Sequence, residues 1–504
     1  MRLFKHYIPI NTIVLVISES IIVLASLLIS MKISNTLYSH KSELNYINIF
    51  LVELSTILVF YIADLYNFIN INKKREILLK IFICCIVSFF ILSGVKLIFY
   101  EYIINEKMFL IYFFVSTICL ICFRLAYFRI INIKNLRRKV LIIGYSDIVK
   151  KIYEEINKCN EIYEFIGVVC DENIREDKFH TDFKIISEMN CVDKVIKINN
   201  PDILVIALSE RRGNFPSQII LESKLKGIII EDATSFYEKI TGKILVENLR
   251  PSWIIFADGF NRNNVNRMIK RLIDIILAAI GLCGSCPLVV FISILVKFDS
   301  VGPVFFKQER VGEHGRHFTL VKFRTMVADA EKDTGPVWSQ TTDPRVTKLG
   351  IILRRTGMDE IPQLFNVLKG DMSFVGPRPE RPHFVTELQQ KIPYYTQRLT
   401  VKPGITGWAQ VRYGYGATLE DAVEKLQYDL YYIKNMSVFL DLLVILSTVH
   451  KVIFAKVAVE TVSQQHGSRM NEYSTREIEA PDQSYAVVVS DVLEKRAGET
   501  KICG

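Results

Sequence analysis

The stretch Leu272-Ile273-Asp274-Ile275-Ile276-Leu277-Ala278-Ala279-Ile280-Gly281-Leu282-Cys283-Gly284-Ser285-Cys286-Pro287-Leu288-Val289-Val290-Phe291-Ile292-Ser293-Ile294-Leu295-Val296-Lys297-Phe298 decides how this 504-residue chain is arranged. It is long and apolar enough to cross a bilayer, yet it carries Asp274 near its start and Pro287 in its middle, where a helix loses a hydrogen bond. It follows a basic run, Arg267, Lys270 and Arg271. As an ordinary kinked span it would place everything after it outside the cell. Broken at Ser285, Cys286 and Pro287, it would enter and leave through one leaflet, its freed carbonyls satisfied by a hydroxyl or by neighbouring protein. The stretch alone leaves both readings open.

Upstream lie four more apolar stretches, about Ile10–Met31, Ile47–Tyr66, Ile81–Tyr100 and Met108–Phe128, each expected to cross the bilayer as a helix. Arg2 and Lys5 precede the first, Lys73, Lys74, Arg75 and Lys80 follow the second, and Lys134, Arg137, Arg138 and Lys139 follow the fourth. The intervening loops have chiefly Lys32, Lys41 and Lys107. Counted by the positive-inside rule, the N-terminus and the residues after Lys139 are cytoplasmic. Glu53, Asp64 and Lys96, in or at the ends of spans, read as interfacial or bundle-facing, since no ionisable relay repeats through the helices. Cys119/Cys122 and Cys283/Cys286 have a C-x-x-C spacing but sit in apolar segments without further Cys or His, so they read as small apolar residues. The charge balance, 62 Lys and Arg against 53 Asp and Glu, suits an anionic membrane and phosphates. No basic block with interleaved aromatics points to nucleic acid.

Between these regions, Lys139–Tyr145 reads as a buried strand ending in Gly144, followed by a helix to about Asn157; Phe165–Cys170 and Ile203–Leu208 read as further strands. Strands alternating with helices predict a small parallel, Rossmann-like α/β domain over 139–248. The second and third glycines of a dinucleotide fingerprint are missing, and no Tyr is followed by Lys four places on, so a structural or regulatory domain is expected rather than an NAD enzyme.

Downstream, Asp359 and Glu360 stand in Arg354-Arg355-Thr356-Gly357-Met358-Asp359-Glu360-Ile361-Pro362-Gln363. Ile361, Leu364, Phe365 and Leu368 recur at helical spacing, Pro362 suits a first turn and Gly370 a stop. The pair is thus expected at a helix N-terminus, where free N–H groups and the dipole favour negative charge. Around it gather Lys322 and Arg324 in Lys-Phe-Arg-Thr-Met, Arg378 between Pro377 and Pro379, and Pro403-Gly404-Ile405-Thr406-Gly407-Trp408. Arginines on rigid turns are suited to gripping phosphate oxygens. Singly, each has a plain reading: an N-cap Asp, strand-surface charges, a core or interface Trp. Together they point to phosphate chemistry.

These motifs, with Lys270-Arg271, Asp274 and the Pro-containing apolar helix, closely resemble the bacterial sugar transferases, or monotopic phosphoglycosyl transferases, over roughly Asn266–Phe454. The layout as a whole resembles the large polyprenyl glycosylphosphotransferases that begin exopolysaccharide synthesis, and Thr241–Leu249 with Pro251-Ser252-Trp253 is similar to their exosortase-linked subgroup. The resemblance implies a membrane α-helical bundle (1–138), a degenerate Rossmann-like α/β domain (139–248), a linker (249–265), an α/β catalytic domain (266–454) with a re-entrant membrane helix (272–298), and a polar tail (455–504). It implies that Asp359 attacks the β-phosphate of a UDP-sugar, releasing UMP, and that undecaprenyl phosphate then takes the phosphosugar. It also implies that Glu360 binds metal or activates the acceptor, that Mg²⁺ is the ion, and that Lys322, Arg324, Arg354 and Arg378 lie near the substrate phosphates. Where many members have Ser before the helix-breaking Pro, this chain has Cys286, with Ser285 one place earlier.

A cytoplasmic donor and a lipid-borne acceptor favour the re-entrant topology, a multi-pass protein of the bacterial inner membrane with its catalytic domain on the cytoplasmic face and in contact with membrane lipids. Tyr428–Tyr432 and Val438–Phe454 are open to interfacial contact or to core packing. A membrane-tethered nucleotide-sugar epimerase or oxidoreductase and a non-catalytic assembly scaffold are the alternatives. The sugar and the oligomeric state are not written in these motifs.

Overall fold

The computed structural model of the chain describes residues 2–3, 6–7, 10–38, 46–66, 74–98, 106–131, 137–158, 162–170, 184–208, 216–247, 249, 264–327, 343–414, 416 and 418–454. The expectations for Asn248, for Pro251-Ser252-Trp253, for most of the linker and for the tail lie outside these residues.

Four apolar helices open the chain: α1 (Ile10–Tyr38), α2 (Tyr46–Ile62), α3 (Lys74–Ile98) and α4 (Glu106–Ile131). Three of them are long and apolar enough to cross a membrane, whereas α2 has 17 residues, about 26 Å at 1.5 Å per residue. Their shared core includes Leu15, Val52, Phe60, Ile81 and Leu120, while Ile17, Phe50, Phe90 and Phe114 face outward, the distribution lipid would select. Within it lies an ion pair not expected from the sequence. Arg124 Nε meets Glu19 Oε1 at 2.5 Å, both side chains 3% exposed, and Arg124 Nη1 donates to Leu65 O at 3.1 Å. In hydrocarbon each charge is tolerable only with the other. Asp64, expected at a span end, occupies the turn after α2 with φ 58°, and Glu53 is half-buried.

Next comes a five-stranded parallel sheet of β1 (Arg138–Ile143), β2 (Tyr163–Cys170), β3 (Ile185–Glu188), β4 (Ile203–Ile206) and β5 (Ile229–Asp232), ordered β3-β2-β1-β4-β5. Helices α5 (Asp147–Lys158), α6 (Val192–Asn199), α7 (Ser217–Leu225) and α8 (Ala233–Thr241) cover it. Both faces are buried, with Val140 and Ile142 in one core and Leu141 and Ile143 in the other, as a parallel sheet requires. Gly144 closes the first strand at φ 91°. A Cβ there would lie 2.6 Å from Leu208 Cδ2, so Leu208 fills the space over the turn where a dinucleotide fold admits its pyrophosphate.

The remaining residues build an α/β unit around α9 (Asn264–Asp299), the antiparallel pair β6 (Phe305–Val311) and β7 (His317–Phe323), α10 (Lys348–Thr356), α11 (Gln363–Lys369), the parallel pair β8 (Ser373–Val375) and β9 (Gly404–Thr406), α12 (Pro382–Lys391), α13 (Trp408–Arg412), α14 (Leu419–Asn435) and α15 (Val438–Phe454). Its main core includes Val375, Trp408, Leu430, Tyr431, Tyr432 and Leu440. Tyr431 and Tyr432 are each 1% exposed, so core packing wins in that stretch. On α15, Leu440 and Val444 are buried while Leu442 and Val452 are exposed.

Helix α9 runs unbroken through Ser285, Cys286 and Pro287, so the expected break is not an interruption. Proline's fixed φ is itself helical; what Pro287 removes is one N–H. Ser285 Oγ donates to Leu282 O at 3.5 Å. Contacts with the rest of this unit lie on either side of the proline, while Cys283, Gly284, Cys286 and Pro287 in the middle of the helix are exposed. Arg271 donates to Val367 O and Leu368 O at 2.6 and 2.9 Å, capping the carbonyl end of α11, and Asp274 accepts from Phe374 N at 3.0 Å. Ala278 packs with Phe318, Leu320 and Val367, and Ile292 and Val296 with Phe323 and Leu353. The opposite face exposes Leu272, Ile276, Ile280, Val290, Phe291 and Ile294.

The two α/β units share a seam. Ile244, Val246 and Leu249 enter the main core of the second α/β unit, while Leu245 stays in the parallel-sheet core. Lys434 Nζ reaches Glu238 Oε2 at 2.6 Å, both nearly buried, and Trp408 Nε1 donates to Gly242 O at 2.8 Å. Trp408 is therefore an interface anchor.

Candidate active site

Local sequence places the carboxylate pair. Gly357, at φ 71°, ends α10 in the left-handed conformation, and Met358–Glu360 follow as one 3₁₀ turn. Pro362 is the N-cap of α11, with helical dihedrals of −63° and −18°. The hydrogen bonds Glu360 N to Gly357 O, Ile361 N to Met358 O and Leu364 N to Ile361 O carry the chain from turn to helix. Asp359 thus sits in a 3₁₀ turn ahead of the helix rather than on its first turn. Leu364 is buried and Gly370 stops the helix at φ 98°, whereas Phe365, on the same helical spacing, is 60% exposed.

Asp359 is 7% exposed. Burial, then the neighbouring Glu360 charge, pushes its carboxyl up to about 6, against the pull of Lys322, Arg354 and Arg378. Lys322, on β7, is pushed down to about 8 by burial and by Arg310, Arg354 and Arg378, with Asp359 pulling the other way. An acid raised and an amine lowered in one cluster is the pattern of a reactive site. Glu360 Oε1 accepts from Arg378 Nη2 at 2.8 Å, with the arginine half exposed. Arg354 Nε donates to Thr325 Oγ1 at 2.8 Å. The structure therefore brings Lys322, Arg354, Asp359, Glu360 and Arg378 together.

Arg324 has a different neighbourhood. Its Nη2 donates to Ser300 O at 2.6 Å, Ser300 Oγ at 2.9 Å and Val296 O at 3.3 Å, at the end of α9, where unpaired carbonyls and the negative dipole end attract a cation. Its Nε and Nη1 are buried without a partner among the described residues.

Several supporting residues were not singled out from sequence. Asn366, on α11, accepts from Val321 N at 3.1 Å and donates to Thr319 O at 2.8 Å, fixing the strand that presents Lys322. Backbone contact accounts for two motif glycines: a Cβ on Gly404 would lie 2.1 Å from Gly376 N, and one on Gly376 2.4 Å from Lys402 O. Among the described residues no three His, Cys, Asp or Glu side chains converge as a metal cage.

The chain matches the bacterial sugar transferase family over residues 265–455 and a CoA-binding domain family over residues 61–213. It is 41% identical over 216 residues to a UDP-N-acetylgalactosamine-undecaprenyl-phosphate N-acetylgalactosaminephosphotransferase of Aeromonas hydrophila, covering 43% of this chain and 50% of that one. Against a UDP-glucose:undecaprenyl-phosphate glucose-1-phosphate transferase of Xanthomonas campestris pv. campestris it is 43% identical over 219 residues, 43% of this chain and 44% of the relative. The matched stretch thus spans about half the length of these two relatives. A shorter Bacillus subtilis protein, the uncharacterized sugar transferase EpsL, is 40% identical over 198 residues, 38% of this chain and 92% of its own length.

Proposed function

The chain belongs to the bacterial sugar transferase family, and from that membership we propose that it transfers a sugar 1-phosphate from a UDP-sugar to undecaprenyl phosphate, the first membrane step of an exopolysaccharide or capsule. The observation that carries the reading is the buried Asp359 carboxylate, raised toward neutrality beside Glu360 and facing Lys322, Arg354 and Arg378. Relatives named as sugar-phosphate transferases acting on undecaprenyl phosphate support the substrate class.

In the first step an Asp359 oxygen forms a bond to the β-phosphorus as the bond to the UMP oxygen breaks, leaving an acyl phosphosugar. In the second, a phosphate oxygen of undecaprenyl phosphate attacks that phosphorus and frees the carboxylate. Burial keeps water from the mixed anhydride, and the raised pKa makes Asp359 a more basic nucleophile than a solvated carboxylate. Lys322, Arg354 and Arg378 neutralise the charge that spreads over the phosphoryl oxygens. Arg324 we assign to the end of α9. Glu360, tied to Arg378, stands where the acceptor phosphate or a cation would approach.

Mg²⁺ fits this donor set, because it takes one or two carboxylates and completes its shell with substrate phosphates and water rather than a protein cage. Glu360 would hold it, leaving Asp359 to attack, and when bound it would supply charge neutralisation at the phosphates.

For topology we propose that α9 stays in the cytoplasmic leaflet rather than crossing the bilayer. Support comes from its packing on one unit on both sides of Pro287, at Arg271 to Ala278 and at Ile292 to Val296: a helix crossing a core of about 30 Å could not rest on one soluble domain at both ends. The UMP-release panel tests the function. Purified protein receives Mg²⁺, undecaprenyl phosphate and each of several UDP-sugars; acceptor-dependent UMP from at least one is expected, and none from any would overturn the reading.

A further inference from the structure

The backbone that presents Arg378 is stapled at three consecutive carbonyls, each by a different element. Pro377 O accepts from Gly404 N at 3.0 Å, Arg378 O from Arg398 Nη2 at 3.0 Å, and Pro379 O from Arg310 Nη1 at 2.9 Å. Two flanking prolines fix φ but supply no N–H, which leaves Arg378 N–H as the only backbone donor among the three residues. Arg398 is itself held. Its Nε donates to Asp429 Oδ2 at 3.2 Å and its Nη1 to Tyr395 Oη at 2.7 Å, and Nη2 lies 3.0 Å from the same carboxylate oxygen. Asp429 is 1% and Arg398 7% exposed, so neither side chain is open to substrate.

We propose that Asp429 and Arg398 are a positioning pair for the transfer reaction: the buried ion pair fixes the carbonyl of Arg378, and through it the guanidinium that meets Glu360 at 2.8 Å. A buried pair is weak evidence of stability, and hydrophobic residues would fill the same volume more cheaply. This one has a geometric task instead, since only a planar fork can serve Asp429, Tyr395 and the Arg378 carbonyl together. The pair is anchored in α14, which is also joined to the parallel-sheet unit through Gln427 O, accepting from Ile244 N at 3.1 Å, and through Lys434. The reference frame for Arg378 therefore includes the seam between the two units.

The proposal rests on the reading of Arg378 as a group at the substrate phosphates. A double-mutant cycle on the full-length protein tests it. Arg398→Lys keeps the charge and loses the fork; it should lower kcat roughly 10- to 100-fold, the scale of a small misplacement in a site, while KM for the UDP-sugar changes less. In an Arg378→Lys background, where the guanidinium being positioned is gone, the further loss should shrink to less than about threefold. General damage to the fold would instead cost the same factor in both backgrounds, and that result, or wild-type turnover in Arg398→Lys, would overturn the proposal. Should Arg398→Lys fail to fold, Asp429→Asn and Tyr395→Phe, which keep side-chain volume, replace it in the cycle, and full activity in both would overturn it as well. Asp359→Asn run alongside separates the two claims: retained UMP release there removes the nucleophile assignment whatever the cycle shows.

Discussion

Replacing Asp359 by Asn should raise stability while ending transfer. The carboxyl lies at about 6 against an ordinary 3.8, so its ionised form is held in a place that disfavours charge, chiefly through burial. A group whose acid form is favoured by folding costs stability above its folded pKa, and the cost fades as pH falls toward the unfolded value. The difference of about 2 units at 1.36 kcal/mol each is roughly 3 kcal/mol at pH 8. At pH 5 the folded carboxyl is already mostly protonated, and linkage leaves roughly half of that cost. Asparagine carries no charge and is nearly isosteric, so it should relieve the cost as an upper limit. Thermal unfolding of the detergent-solubilised full-length protein and the variant, at pH 8 and pH 5, measures this. The variant should melt higher at pH 8, with a smaller gain at pH 5. A variant less stable than the parent at pH 8, or a gain independent of pH, would refute the argument that the site stores strain in this carboxylate.

Other consequences follow from the same geometry. The rate of UMP release should rise as pH passes about 6, where Asp359 ionises, and fall above about 8, where Lys322 loses its proton; Lys322→Met should abolish the alkaline limb and move the acid limb upward, read from kcat/KM against pH. Gly404→Ala should destabilise the protein by ~1–3 kcal/mol through overpacking, because the new methyl meets the Gly376 backbone; an unchanged melting curve would contradict it. At the seam, Lys434→Ala should cost ~3–5 kcal/mol by leaving Glu238 charged and buried, while Glu238→Leu with Lys434→Met should cost much less, a contrast that denaturant unfolding of the parent and the two variants can measure.

The parts legible in the sequence were those written in local pattern. Alternation of apolar strand and amphipathic helix gave the parallel sheet, and Gly370 marked the stop of α11 because only a residue tolerant of φ 98° ends it there. The apolar runs before residue 131 became helices for the same reason. What sequence could not tell is where long donors go. Arg324 in Lys-Phe-Arg-Thr-Met and Arg378 in Pro-Arg-Pro both read as cations for a phosphate, yet one holds the end of α9 and the other faces Glu360; the choice depends on which carbonyls the fold leaves unpaired. Arg398, 31 residues from Asp429, had no local signal at all. Glu19 and Arg124, 105 residues apart, were not singled out among the charges in the apolar runs, and their pairing exists only once α1 and α4 pack. Phe365 followed the helical period and still faces outward, because α11 covers the unit with a narrow face formed by Leu364, Val367 and Leu368.

The claim that Asp359 carries the phosphosugar is tested most directly by intact-protein and peptide mass spectrometry after incubation with Mg²⁺ and an accepted UDP-sugar in the absence of undecaprenyl phosphate. A mass increase of one sugar phosphate, located on the peptide containing Asp359, absent from Asp359→Asn and discharged on adding the acceptor, is the predicted result. Efficient transfer with no adduct at any time, or an adduct on another residue, would contradict it.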